Sequence, residues 1–298
     1  MNATVGIDTA QDLVKAPLLY KGKVRELYDL GDRFLIVVTD RISAFDFILS
    51  PPIPDKGNVL NRVSEYWFKQ TTGLIRSHYI HADASLLGDD IVNGDSARDQ
   101  LKDRVMVVHK AKRIDVECVV RGYLTGNGWR QYTSSGAVNG IELSQGLRKN
   151  AQLPTPIFTP AAKHDVGHDE DITWAQLVEK VGEELAIQLR DQSIRLYQFA
   201  HDVCKENGIV LADCKFEFGL LDGQLVLIDE IFTPDCSRFW EASKYALDIE
   251  IDSMDKEPVR QYLANSDWDK VSAPAPLPDS VVGETRARYV EIWRRLTQ

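Results

Sequence analysis

The chain has 298 residues, of which 44% are hydrophobic and 27% charged, values typical of a globular protein with one large domain or two lobes. Its net charge of −10, without a long basic run, argues against nucleic acid as the main partner. No apolar run reaches transmembrane length and the polar, acidic start is unlike a signal peptide, so we expect a cytoplasmic protein without a membrane partner.

The first chemical motif is a glycine between two lysines, Lys21-Gly22-Lys23, which precedes a Gly31-Asp32 turn and the apolar strand 34–38. Backbone N–H groups and ammonium groups at the mouth of two strands can bind phosphate. A lysine-rich edge strand is the plain alternative, and these residues alone do not decide between the two. The polar segment 39–46 reads as a turn with side-chain caps.

Other segments are predicted to form regular helices or strands. Helices are predicted over 58–77, 173–206 and 279–296, because apolar residues recur at helical spacing there. The apolar stretch 105–111 is predicted to be a strand, long enough to cross between two lobes. The four cysteines form no C-x-x-C pair, which indicates reduced, packed thiols.

The stretch 117–129 places Arg121 at the predicted end of a strand and follows it with three glycines in seven residues. Arginine suits bidentate contact with phosphate or carboxylate, and glycines let the backbone approach a ligand closely. A purely structural pair between Arg121 and Glu117 is the alternative.

Prolines predict a loop over 153–173, and within it Lys163, two histidines and two aspartates cluster over 163–169. A charged loop over phosphates is favoured. A transition-metal site is the weaker reading, because the segment lacks helical ligand spacing. His168-Asp169 could equally cap the helix that follows.

The stretch 211–240 carries the densest chemistry. Asp213, Lys215 and Glu217 alternate with apolar residues on a predicted strand, and Asp222-Gly223 predicts a hairpin turn to a return strand. That strand ends in Asp229-Glu230. Four carboxylates close together repel one another unless they share a cation, and Mg²⁺ is a natural one beside phosphate oxygens.

These motifs, in order along almost the whole chain, resemble the signature of the SAICAR synthetase family (phosphoribosylaminoimidazole-succinocarboxamide synthases). The matching segments run from YKGK at 20–23, through LADCKFEFG at 211–219 and DEIFTPDCSRFW at 229–240, to Asp255-Lys256. The resemblance implies an ATP-dependent ligase of purine biosynthesis. It would join L-aspartate to the carboxylate of carboxyaminoimidazole ribotide through an acyl phosphate.

The fold implied is α+β and two-lobed, with a kinase or ATP-grasp-like layout. A β-rich N-terminal lobe (1–108) and a larger mixed C-terminal lobe (109–298) would enclose an ATP cleft. Two rival functions remain open at this point. One is a kinase-like phosphotransferase on a small phosphorylated metabolite, although the catalytic loop of protein kinases is absent. The other is a non-catalytic nucleotide-binding module. Oligomeric state is not indicated.

The resemblance also implies roles for individual residues, with Lys215 and Asp213 catalytic and Mg²⁺ held by Glu217 and Asp229. The family usually has serine where this chain has Asn127, whose amide can still donate. The residues implied to bind ATP are Lys21, Gly22, Lys23, Val108, Lys110, Lys163, Glu217 and Asp229. The residues implied to bind the other substrates are Asp40, Ser43, Arg121, Asn127, Ser237, Arg238, Lys256 and Arg260.

One conflict remains between these inferences. A plain two-residue turn pairs residue 217 with 228 and 215 with 230, which puts Glu230 on the polar face and Asp229 on the apolar side. The resemblance instead makes Asp229 the metal ligand. We therefore expect a bulge or a longer turn that shifts the register by one residue before Asp229.

Overall fold

The computed structural model describes residues 6–45, 47–163 and 169–297. The fold is α+β, as predicted. The strands are β1 (Leu18–Lys21), β2 (Arg25–Asp29), β3 (Arg33–Val38), β4 (Ile42–Ala44), β5 (Phe47–Leu49), β6 (Tyr79–His81), β7 (Val105–His109), β8 (Lys112–Tyr123), β9 (Ala137–Val138), β10 (Ile141–Glu142), β11 (Gln152–Phe158), β12 (Ala161–Ala162), β13 (Glu170–Asp171), β14 (Ile209–Leu221), β15 (Gln224–Ile228) and β16 (Ser237–Glu241). The helices are α1 (Lys56–Gln70), α2 (Gly94–Leu101), α3 (Gly126–Ser135), α4 (Trp174–Val181), α5 (Glu183–Glu206), α6 (Glu257–Ala264) and α7 (Asp279–Thr297).

The N-terminal strands form an antiparallel sheet in the order β1-β2-β3-β7-β6. Successive side chains of a strand point to opposite faces. On β3, Leu35 and Val37 therefore pack into a cluster with β7 and the segments before β1 and around α2. Ile36 and Val38 face the main core instead. Both faces of this sheet are thus in contact with apolar side chains.

The C-terminal sheet is built on the long neighbours β8 and β14, in the order β13-β12-β8-β14-β15, with β11 also pairing β8 and β16 also pairing β14. The apolar side of β14 is buried, as predicted, with Cys214, Phe216 and Phe218 at most 2% exposed. This side packs against helix α5 and leaves the polar side of β14 for the site.

The two sheets join through the segment before β6. The backbone N–H of His78 donates to the carbonyl of Leu227 at 2.9 Å, and the carbonyl of His78 accepts from the N–H of His109 at 2.8 Å. One apolar cluster continues across this junction, since Ile36 and Val108 of the first sheet belong to the same core as Phe216 of the second.

The helix predictions are confirmed in position and differ in their ends. Helix α1 ends at Gln70 rather than 77, and Trp67 and Phe68 are buried within it. The predicted helix 173–206 is divided into α4 and α5 at Gly182, whose φ of 84° does not fit a helix. Helix α7 packs against α1.

The prediction of a loop over 153–173 was wrong for its first part. Strand β11 pairs with β8 at Gln152 and again at Ile157 and Phe158, and the register is irregular between them. Pro154 and Pro156 stand in that gap. A strand can contain prolines where the ladder does not require their N–H groups, which explains the error. His164, Asp165 and His168 lie outside the described residues.

Two simpler expectations can be compared with the fold. All four cysteines are buried and free, which confirms that they are packed thiols. Among the described residues, no helix combines the length and apolar character needed to cross a membrane.

Candidate active site

A cavity of about 990 Å³ lies between the two larger sheets and is lined by residues of both. Much of its apolar lining comes from the first sheet and the connection between β1 and β2, with Val24, Leu27, Phe34, Ile36 and Val108. Its charged lining comes mainly from the second sheet and the segment after β15, with Glu117, Lys163, Lys215, Glu217, Asp229, Glu230, Asp235 and Lys256. Apolar walls beside a few convergent charges are typical of small-molecule sites.

The acidic pair at the centre of the cavity is formed by residues opposite each other on β14 and β8. Glu217 pairs in register with Glu117, a residue that the sequence analysis considered only as a structural partner. Like charges directly opposite each other are destabilising without a cation. Two lysines supply the positive charge that the pair needs. Lys163 bonds Glu217 and its Nζ lies 3.8 Å from Glu117 Oε1, and Lys215 Nζ lies 2.8 Å from the same oxygen.

Lys215 remains an ammonium ion in this setting. Although burial favours the neutral amine, the neighbouring carboxylates, Glu117 foremost, raise the pKa of Lys215 above its ordinary value. A lysine with a raised pKa is a poor general base. The geometry therefore suits Lys215 to neutralising negative charge rather than to accepting a proton.

The register conflict is resolved by the backbone of Asp229. The turn is the plain two-residue one: Leu221 pairs with Gln224 and Glu217 with Ile228, so the expected bulge was wrong. Strand pairing simply ends at Ile228, and Asp229 adopts a left-handed φ of 64°. This conformation breaks the alternation of the strand, so Asp229 turns to the cavity although the register is unshifted.

Arg25 of β2 is the partner of both acids that follow β15. Its Nη1 lies 3.1 Å from Asp229 Oδ2, and its Nη2 bonds Glu230, which also accepts from the hydroxyl of Thr233. Burial raises the pKa of the Asp229 carboxyl; Arg25 opposes that rise and Glu217 adds to it. Arg25 was not predicted, although it stands two residues after Lys23 and so falls on the same side of an extended chain as that candidate phosphate-binding cation.

A second charged cluster lies further along β14, with Asp213 between two arginines. Asp213 is opposite Arg121 on β8 and Arg238 on β16. Its Oδ2 accepts from Arg238 Nη1 at 2.8 Å and lies 3.6 Å from Arg121 Nη1. Arg121 is thus paired with Asp213 rather than with Glu117, and Ser237 is buried next to Arg238. Because two guanidinium groups share one carboxylate here, N–H donors remain with which they can bind an anion.

The glycines after Arg121 leave space for neighbouring side chains. A Cβ on Gly126, whose φ is 54°, would lie 2.8 Å from the guanidinium of Arg238, and one on Gly128 would lie 3.2 Å from Arg121 Cδ. A Cβ on Gly122 would collide with the hydroxyl of Tyr197. Each of these glycines thus has a packing reason, and the expectation that they let the backbone approach a ligand stays a prediction.

The phosphate-loop candidates are held by a buried arginine. Gly22 and Lys23 line the cavity, and their carbonyls accept from Arg41 at 2.9 and 3.0 Å. Arg41 also pairs with Glu26 at 2.9 Å. Lys21 lies 3.7 Å from Glu26 and is half exposed. Arg41 was not predicted, since its role depends on contacts 15 or more residues away.

The remaining predicted residues fall into those that reach the cavity and those that do not. Ser43 and Lys256 line it. Asp40 is fully buried, where it accepts from the N–H groups of Ile7 and Gly57 and pairs with Arg104. Lys110 pairs with Asp29 at 2.5 Å, Asn127 bonds Asp171 at 2.7 Å, and Arg260 bonds Asp255 at 2.9 Å.

Comparisons with known proteins agree over nearly the whole chain. A family model described as SAICAR synthetase matches residues 18–275. The phosphoribosylaminoimidazole-succinocarboxamide synthase of Elusimicrobium minutum is 44% identical and aligns over 95% of this chain and 97% of its own. That of Geobacter sulfurreducens is 45% identical over 96% of each.

Solved structures give the same result. The SAICAR synthase of Saccharomyces cerevisiae, in complex with SAICAR, superposes with a TM-score of 0.86 at 38% identity, over 95% of each chain. A SAICAR synthetase in complex with ADP, 23% identical with a TM-score of 0.67, shares the fold. The family predicted from the motifs is confirmed: the chain belongs to the SAICAR synthetase family and is a ligase of purine biosynthesis.

Proposed function

We propose that this ligase uses ATP with Mg²⁺ to join L-aspartate to the carboxylate of carboxyaminoimidazole ribotide, giving SAICAR, ADP and phosphate. The observation that carries the proposal is the order of groups along the polar face of β14. Glu217 and Lys215 line the cavity, and Asp213 holds two arginines two residues further on, about 7 Å along the strand. A nucleotide and a phosphorylated substrate can thus meet on one strand.

The chemistry that this order would serve begins with the ribotide carboxylate, which is a poor acyl donor because its leaving group would be oxide. Transfer of the γ-phosphoryl group to a carboxylate oxygen gives an acyl phosphate and ADP. The amine of aspartate then attacks the acyl carbon, phosphate leaves, and the amide nitrogen releases its proton. Phosphoryl transfer depends mainly on positioning and charge neutralisation.

The proposed roles of the residues follow from their placement. The apolar walls around Leu27, Ile36 and Val108 suit the nucleotide base, with Gly22 and Lys23 towards its phosphates. Lys215 and Lys163 neutralise charge between the reacting groups, and Lys21 and Lys110, which are not in the cavity lining, stay predicted ATP-binding residues. Arg121, Ser237 and Arg238 bind the ribotide phosphate, with Asp213 orienting both guanidinium groups.

The Mg²⁺ site is proposed at Glu217 and Asp229. The donor set fits, because Mg²⁺ is commonly held by one or two carboxylates together with phosphate oxygens. The raised pKa of Asp229, due to burial with Glu217 adding to it, marks a place where a further cation relieves repulsion. When bound, the metal would supply charge neutralisation to the phosphate oxygens.

We further propose that the cavity separates two lobes, 1–108 and 109–298, in a kinase or ATP-grasp-like layout, and that the enzyme works in the cytoplasm on small molecules. Support for the lobes comes from the lining, which is shared between the two sheets. Asp40, Ser43, Asn127, Lys256 and Arg260 stay proposed substrate residues. Of these, Ser43 and Lys256 have the support of lining the cavity.

Substrate omission tests the proposal. Phosphate release from ATP should require both the carboxylated ribotide and L-aspartate, and the product should contain an amide to aspartate. Equal phosphate release without aspartate would instead favour the kinase-like phosphotransferase. Nucleotide binding without turnover under any combination would favour the non-catalytic module.

A further inference from the structure

The carboxylate of Asp235 is held from two sides by residues distant in sequence. Lys56 Nζ lies 2.7 Å from its Oδ2, and the hydroxyl of Tyr289 donates to its Oδ1 at 2.6 Å. Lys56 begins helix α1, and Tyr289 lies in the C-terminal helix α7. A third group, Lys256 Nζ, lies 4.0 Å from Oδ1. We refer to Lys56, Asp235 and Tyr289 as the buried triad.

Burial makes these contacts obligatory. The side chain of Lys56 is 0% exposed and that of Asp235 is 8% exposed, and Tyr289 is fully buried. A buried ammonium ion without a partner is strongly unfavourable, so Lys56 must pair with Asp235 in the folded protein. The ammonium of Lys56 also lies 5.5 Å from the centre of the Tyr289 ring, which adds a cation–π contact.

The position of Asp235 links the triad to the site. Asp235 lines the cavity and stands between Glu230 and Arg238 in the segment that follows β15. Lys56 and Lys256 are two ammonium ions near the single carboxylate of Asp235, so one positive charge is not balanced by it. Lys56 is enclosed, whereas the side chain of Lys256 is 17% exposed and lines the cavity, so the charge that a ligand can reach is that of Lys256.

We propose that Lys56 and Tyr289 are positioning residues: they fix Asp235 so that Lys256 presents its ammonium to a carboxylate of the substrates other than ATP. The inference rests on the proposed function. It gives the C-terminal helix a part in substrate recognition, whereas its amphipathic sequence indicates packing only. Neither residue contacts a reacting atom in this role.

Tyr289→Phe is the decisive variant, because it deletes only the hydroxyl and keeps the ring that packs against Lys56. We expect the KM for aspartate or for the ribotide to rise about five- to twentyfold, with the KM for ATP within twofold of wild type. Tyr245→Phe is the matched control. It also loses one hydroxyl hydrogen bond, to the carbonyl of Asn150 at 2.9 Å, but lies outside the cavity lining.

A second variant tests whether the effect passes through Lys256. In a Lys256→Met background, Tyr289→Phe should raise neither KM by more than about twofold further, since the group that it positions is gone. Full additivity of the two changes would overturn the proposal. The proposal would also be overturned if the Tyr289→Phe enzyme had unchanged KM values for aspartate and the ribotide. The same holds if the variant raised all three KM values and lowered the Tm, which is what a purely structural role predicts.

The two proposals fail in different ways. If wild-type enzyme releases phosphate equally well without aspartate, the proposed function falls and the inference falls with it. If wild-type turnover requires aspartate but Tyr289→Phe leaves both KM values as in wild type, the buried triad is only structural and the proposed function stands.

Discussion

Arg25 and Asp229 are in direct contact in the lining of the cavity, with Arg25 Nη1 3.1 Å from Asp229 Oδ2, although 204 residues separate them in sequence. The contact joins β2 of the first sheet to the end of β15 in the second. Both side chains are less than a third exposed. Because Asp229 is the proposed metal ligand, the guanidinium supplies positive charge where a divalent cation would also be favoured.

Arg25→Met should therefore destabilise the protein in the absence of metal. It leaves Asp229 and Glu230 without their shared cation, which should cost about 1–3 kcal/mol of unfolding free energy, given their partial exposure. Urea unfolding measures the loss. Added Mg²⁺ should raise the Tm of this variant more than that of wild type. Arg33→Met, which removes an exposed pair with Asp32, is the control and should change stability little. An Arg25→Met protein as stable as wild type would contradict the argument.

Asp229→Asn and Glu230→Gln separate the two neighbouring acids. Both acids bind Arg25, but Glu230 also accepts from the hydroxyl of Thr233, whereas Asp229 lies near enough to Glu217 for their charges to repel. We expect Asp229→Asn to lower Mg²⁺-dependent turnover by at least about 100-fold and Glu230→Gln by less than about tenfold. The comparison is made by measuring the steady-state rates of wild type and both variants over a range of Mg²⁺ concentrations. The reverse ranking would show that Glu230 holds the metal.

The pKa of Asp229 predicts a pH dependence of metal binding. Burial raises this pKa, so the carboxylate that binds metal is lost as the pH falls, and at a higher pH than for an ordinary aspartate. The apparent Kd for Mg²⁺ should rise as the pH is lowered from about 8 to about 5. The sign for stability is opposite: the folded state binds this proton more tightly than the unfolded chain, so ionisation costs stability as the pH rises.

Isothermal titration of Mg²⁺ in the presence of a non-hydrolysable ATP analogue checks the pH effect on the Kd. Glu230→Gln is the control and should keep the wild-type dependence. A Kd that is constant over this range would show that the carboxylate with the raised pKa does not bind the metal.

Arg238→Ala should weaken ribotide use and spare ATP. If Arg238 binds a dianionic phosphate in a partly desolvated cluster, its loss should cost about 2–4 kcal/mol in kcat/KM for the ribotide. The KM for ATP should change less than twofold. The control is Arg130→Ala, which removes an exposed arginine two residues after Gly128. A variant that loses ATP affinity and keeps ribotide affinity would place Arg238 at the nucleotide end.

Gly126→Ala should reproduce part of that loss without removing a charge. Its Cβ would lie 2.8 Å from the guanidinium of Arg238, and a φ of 54° adds backbone strain. We expect the KM for the ribotide to rise about tenfold. The control is Gly136→Ala, which shares a positive φ but has open space around its Cβ. Equal effects of the two changes would attribute the loss to strain alone.

The sequence alone determined the family, the α+β class and the buried face of β14. Each depends on local order: motifs are contiguous, and the alternation from Ala212 to Phe218 records which side of one strand is apolar. The pair Asp222-Gly223 also indicated the plain turn, but the family role of Asp229 led us to expect a bulge or a longer turn instead, and that expectation was wrong. Helix ends differed from the prediction and strand β11 was missed, because the residues around Gly182 and the prolines at 154 and 156 are compatible with more than one local conformation.

Only the tertiary structure decided where the charges meet. Asp229 faces the cavity because pairing stops at Ile228 and its backbone becomes left-handed, which no strand pattern encodes. Arg25 meets Asp229 across 204 residues, and Lys56 meets Asp235 across 179. Such contacts depend on how sheets and helices pack against one another. Side-chain periodicity fixes the face on which a residue lies, whereas packing fixes what lies opposite that face.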